Sequence, residues 1–61
     1  MKIYEARLLK VADVINQGDA KGLVILKIFK NSIRVTNRLG EVYTTEVGYL
    51  PGQAVELVDR K

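Results

Sequence analysis

A chain of 61 residues with no cysteine and no histidine excludes a disulfide framework, a Cys/His zinc site and nucleophilic catalysis built on either residue. Ten Lys and Arg against seven Asp and Glu leave a net charge of +3 and a pI near 9.5, a basic bias that favours anionic partners. The acidic residues are interspersed along the chain, so there is no block of like charge and no disordered basic arm.

The length sets one small domain over residues 1–61. For so short a chain the gain from apolar burial and the cost of ordering the backbone nearly cancel, and the usual supplement besides disulfides or a metal is self-association. An apolar content of 48% points the same way, and a homo-oligomer, in the simplest case a homodimer, is expected. The opening MKIYEARLLK places charge where a signal peptide needs an apolar stretch, which implies a cytoplasmic protein. The longest unbroken apolar run, Leu23 to Leu26, is too short to span a membrane.

The N-terminal segment supports three readings: a helix, a long bent strand, or a strand followed by a helix. Tyr4, Leu8, Val11 and Ile15 fall on one helical face, with Gly18 near where such a helix would end, but no Ser, Thr, Asp or Asn caps its start. The same residues also read as a long bent strand, with Tyr4, Ala6 and Leu8 inward and Glu5 and Arg7 outward, continued by Val11 to Ile15. The loop Asn16 to Gly22 follows. Its glycines and Lys21 do not form a phosphate-binding loop, because Lys21 precedes Gly22 and Leu23 follows it. Its composition indicates a mobile connection.

From Leu23 onward the pattern is strand and turn. Leu23 to Phe29 is dense in aliphatic residues and short enough to be a strand. Asn31-Ser32 suits a two-residue turn into the strand Ile33 to Asn37. Asn37-Arg38-Leu39-Gly40 is the strongest turn signal, with Asn first and Gly in the position that takes a positive φ. Glu41 to Val47 returns as a strand. Pro51-Gly52 suits a type II turn, and Ala54 to Val58 forms a last strand. The sequence predicts a mainly β fold, an antiparallel meander curled into a five-stranded SH3-like or OB-like barrel. The alternative is an α+β fold, an N-terminal amphipathic helix on a four-stranded sheet.

These turns set Phe29 opposite Arg34 and Ile28 opposite Val35, then Val35 opposite Tyr43 and Arg34 opposite Thr44. One face then carries Val24, Leu26, Ile28, Ile33, Val35, Tyr43 and Val47, the expected core. The other carries Leu23, Ile25, Lys27, Phe29, Arg34, Thr36, Val42, Thr44 and Glu46. On that second face an aromatic lies among cations, a pattern that suits stacking on bases and contact with phosphates. The candidate nucleic-acid-binding residues are Lys27, Phe29, Lys30, Arg34, Thr36, Arg38 and Thr44, with Tyr49 from the loop before Pro51. Tyr49 fits equally well as a lid folded over the end of the barrel. Under the structural alternative the same face is packing, covered by barrel closure or by a twin chain, and Lys27 and Arg34 extend to solvent along it.

Catalysis is not expected. The only serine, Ser32, sits in a turn with no base assigned to it, and no metal-ligand spacing or cofactor motif occurs. The composition therefore leaves two functions. One is a weakly sequence-specific DNA- or RNA-binding module, such as a small regulator. The other is a protein-interaction or homo-oligomeric assembly module that uses an apolar outer sheet face. Neither implies a cofactor, a small-molecule substrate or a membrane.

Overall fold

β-Branched and aromatic residues at alternate positions, punctuated by glycines at positive φ, build six short strands in the computed structural model, which describes residues 2–60. They are β1 (Lys2–Ile3), β2 (Val14–Gln17), β3 (Ala20–Ile28), β4 (Ser32–Thr36), β5 (Val42–Glu46) and β6 (Val55–Asp59), and a single 3-10 turn covers Ala6–Leu8. All pairings are antiparallel, in the order β1-β6-β2-β3-β4-β5. The mainly β class is as the sequence indicates. The count is six strands instead of five, and the sheet is open where a closed barrel was expected. β1 and β5 are its two edges, with no ladder between them.

The alternative with an N-terminal amphipathic helix is not what forms, and neither is the long bent strand: a two-residue strand is followed by a 3-10 turn, and of the three readings this is nearest to a strand followed by a helix. Ile3, Ala6 and Leu9 are buried at intervals of three, which is the period of a 3-10 turn. Tyr4, Leu8 and Val11, assigned to the buried face of that helix, are exposed. Ala12 at φ 76° and the inward carboxylate of Asp13 end this segment before β2 begins. The Asn16–Gly22 loop is also shorter than its composition implies. Gly18-Asp19 alone turns the chain, and Ala20 to Gly22 already belong to β3.

The β4–β5 hairpin has the predicted register in full, from Thr36 opposite Val42 to Ser32 opposite Glu46. Its turn forms as the sequence indicates. Leu39 and Glu41 donate backbone N–H groups to Asn37 Oδ1 at 2.9 and 3.0 Å, and Gly40 takes φ 82°. The Pro51-Gly52 turn also forms, with Gly52 at φ 82° and Gln53 N–H bonded to the Leu50 carbonyl at 3.0 Å.

The β3–β4 pairing differs from the expectation in two ways. The turn is four residues, Phe29 to Ser32, so Ile28 lies opposite Ile33 and Lys27 opposite Arg34. A bulge at Leu26 then shifts the register before Ile25 pairs with Val35. The extra residue reverses the faces of the first half of β3. Leu23 and Ile25, assigned to the outer face, are fully buried, while Leu26, assigned to the core, is exposed. Val24 is half-buried, and Tyr43, also assigned to the core, keeps 38% of its surface. Beyond the bulge, Lys27 faces out and Ile28 packs against the core as expected.

The core comprises Ile3, Ala6, Leu9, Ile15, Leu23, Ile25, Ile33, Val35, Val47 and Val55. Two polar side chains enter it. Gln17 Nε2 donates to the carbonyls of Glu46 (2.8 Å) and Gln53 (2.9 Å), and its Oε1 accepts from Thr45 Oγ1 (2.8 Å). This clasp ties β2 to the end of β5 and to the loop before β6. Asp13 accepts from Arg60 Nε (3.2 Å), Arg60 Nη2 (2.9 Å) and the Lys10 amide (2.8 Å).

Candidate nucleic-acid interface

The outer face of β3, β4 and β5 positions the first group of residues. Register aligns Lys27, Arg34 and Thr44 in one row across the three strands. Phe29 lies just past the end of β3, half-buried, with two cations near its ring. Lys27 Nζ is 5.5 Å from its ring centroid and the Arg34 guanidinium carbon 5.7 Å. Both distances are within cation–π range. Like charges directly opposite on a sheet repel. Among the described residues the ion pairs are Arg7–Glu5 and Arg60–Asp13, so neither Lys27 nor Arg34 is in one, and Glu46 lies on the same face in the next row of β5.

A second group lies at one end of the sheet. Tyr4 and Tyr49 stack with centroids 5.1 Å apart and planes 4° from parallel. They flank a cleft of about 390 Å³ whose wall includes Arg7, Lys30 and Asn31. Lys30 and Asn31 come from the same four-residue turn that carries Phe29, so the cleft adjoins the basic row. Tyr49 is 77% exposed and Tyr4 38%. The ring of Tyr4 therefore does not join the core, and Tyr49 rests on another aromatic and covers no barrel end.

The remaining candidates stand apart from both groups. Thr36 occupies a different row, between Val24 and Val42, and is half-buried. Arg38 lies against the backbone of Gly22, where a Cβ would come within 2.7 Å of its Nε. Of the eight residues singled out in the sequence, Lys27, Phe29, Arg34 and Thr44 form the platform, Lys30 and Tyr49 border the cleft, and Thr36 and Arg38 belong to neither. Sequence reasoning missed Arg7 and Asn31, and gave Tyr4 a core role. The contact between Tyr4 and Tyr49 joins distant parts of the chain, and no local pattern encodes it.

The chain matches no family model, and no curated protein or solved structure matches it at a significant level. What the geometry defines is a class, a small basic β-sheet domain with an aromatic–cation surface.

Proposed function

We propose that the chain is a non-catalytic nucleic-acid-binding module, weakly sequence-specific, that engages phosphates through Lys27 and Arg34 and a base or sugar through Phe29. The observation that carries this reading is the cross-strand pair of cations on one aromatic ring with no carboxylate partner among the described residues. Side-by-side cations are an electrostatic cost in the free protein and a gain against a polyanion. Lys30 and Tyr49 extend the contact surface around the turn, and Thr44 supplies a hydroxyl beside Arg34.

The test is a salt titration of oligonucleotide binding. Affinity falls log-linearly with salt, and Arg34→Ala weakens binding and flattens that slope while thermal stability stays within about 0.5 kcal/mol of the parent. Absence of binding to any oligonucleotide at low salt would rule the reading out.

Self-assembly is a second reading, favoured by a different observation. β5 is an edge strand of five residues without Lys, Pro or a bulge, the devices that ordinarily protect an edge. The Asn37–Glu41 and Asn31–Val47 backbone bonds flank the β4–β5 ladder, and alternation then points the Thr44 N–H away from β4. Pairing between two β5 edges gives a homodimer. The apolar outer face expected from Leu23 and Ile25 cannot serve, since both are buried. Thr44→Pro removes an edge donor and leaves the β4–β5 ladder intact. Sedimentation should report a dimer that this substitution converts to monomer, and a parent chain already monomeric at high concentration would exclude the assembly.

A further inference from the structure

We infer that the Tyr4–Tyr49 cleft is a subsite for one unpaired nucleotide, so that the nucleic acid the protein takes is single-stranded. The inference rests on the nucleic-acid-binding reading and deepens it. Tyr4 covers only one face of Tyr49, and Tyr49 still exposes 77% of its surface, so its other face is open to a further ring. The two rings are already parallel within 4°, and a base laid on Tyr49 continues an existing stack at little ordering cost. A base inside a duplex is covered on both faces by its neighbours and cannot do this.

The charges fit the rest of a nucleotide. Arg7 and Lys30 border the cleft with a single carboxylate, Glu5, which leaves one net positive charge. Glu5 holds Arg7 at 2.9 Å in a pair whose side chains are 43% and 73% exposed. An exposed pair of this kind is weak, and a phosphate displaces it readily. Lys30 is in no ion pair among the described residues, and the Asn31 amide offers a donor and an acceptor at the cleft wall. The volume of about 390 Å³ is at the small end of the ~300–1,000 Å³ typical of ligand sites, which suits one nucleotide. The strand then passes over the Phe29–Ser32 turn onto the Lys27–Arg34 row, so both groups act on one ligand.

The experiment is fluorescence anisotropy at low salt with three probes: a single-stranded oligothymidylate of about 12 nucleotides, a duplex of equal length, and an abasic strand of equal length, all within the site sizes of single-strand binders. The inference expects the oligothymidylate to bind roughly 10-fold or more tightly than either other probe. Tyr49→Ala lowers the ratio of thymidylate to abasic affinity and Tyr49→Phe retains it, and a ratio that survives Tyr49→Ala unchanged overturns the cleft. Circular dichroism establishes that the variants are folded. Should Tyr49→Ala fail to fold, Tyr49→Leu, which keeps an apolar side chain but has no ring to stack, is read in the same way. Equal affinity for all three probes, with Arg34→Ala weakening each, overturns the cleft and leaves the platform standing. No binding of any probe to the parent overturns both.

Discussion

Asp13 shows how much one side chain determines here. Its carboxylate is 1% exposed, and the Arg60 fork and the Lys10 amide satisfy it. Burial alone would raise its pKa. The Arg60 hydrogen bonds, the Lys10 amide and the charges of Arg60 and Lys10 outweigh that and hold it below the usual carboxylate value. A carboxyl depressed in the folded state contributes stability that is complete above its unfolded value, near ~4, and is lost as pH falls through the folded value. Arg60→Ala leaves the buried Asp13 carboxylate without its cation and should destabilise the fold at neutral pH. The difference from the parent should narrow as the pH drops toward ~3, because a protonated Asp13 no longer needs the cation. Urea denaturation across that range checks it, and a gap that widens on acidification contradicts the account. Arg60 Nη2 also donates to the Leu8 carbonyl at 3.1 Å, so the same residue holds the 3-10 segment against the chain's last strand.

At the scale of elements, what was legible depended on where the chain carries local chemistry. The Asn37-to-Gly40 turn has it: Asn37 Oδ1 accepts from two backbone amides and Gly40 supplies the positive φ, and the β4–β5 register followed without error. Asn37→Ala frees both amides and should cost about 1–2 kcal/mol by chemical denaturation, with the β5 edge loosening first in hydrogen exchange. β3 lacks such a marker. Leu23, Val24, Ile25 and Leu26 are all apolar, so neither face is distinguished by composition, and nothing in the run signals that Leu26 is the extra residue of a bulge. The platform was nevertheless found, because the longer turn shifted the β3–β4 pairing by two residues at Lys27 and Ile28. An even shift preserves the faces. The N-terminal helix failed for a related reason. Four apolar residues at helical spacing outline a stripe, but without a cap or partner the segment took the 3-10 turn that buries Ile3, Ala6 and Leu9.

For the whole molecule, Gln17 links β2 to β5, two strands that no ladder joins. The sheet curls until β2, the end of β5 and the loop before β6 meet, and one amide side chain bonds two carbonyls and a hydroxyl there. Gln17→Leu matches its volume and strands those groups, so it should destabilise by about 1–3 kcal/mol with the sheet otherwise intact. A variant as stable as the parent would show that water replaces the clasp at no cost. The accessible surface of 4205 Å² is close to the roughly 4,000 Å² expected of a lone folded chain of this mass, so the fold is compact without a partner. The two exposed groups, platform and cleft, share only the Phe29–Ser32 turn, and that turn is where a bound strand would cross from one to the other.

By itself the sequence determined the β class, the Asn37–Gly40 and Pro51–Gly52 turns, and the outward direction of Lys27 and Arg34, because period-two patterning and turn chemistry act over a few residues. The tertiary structure alone decided the bulge at Leu26, the open sheet held by Gln17 and the meeting of Tyr4 with Tyr49. Each of these depends on residues brought together from distant parts of the chain, where packing chooses among arrangements that local propensity leaves nearly equal in energy.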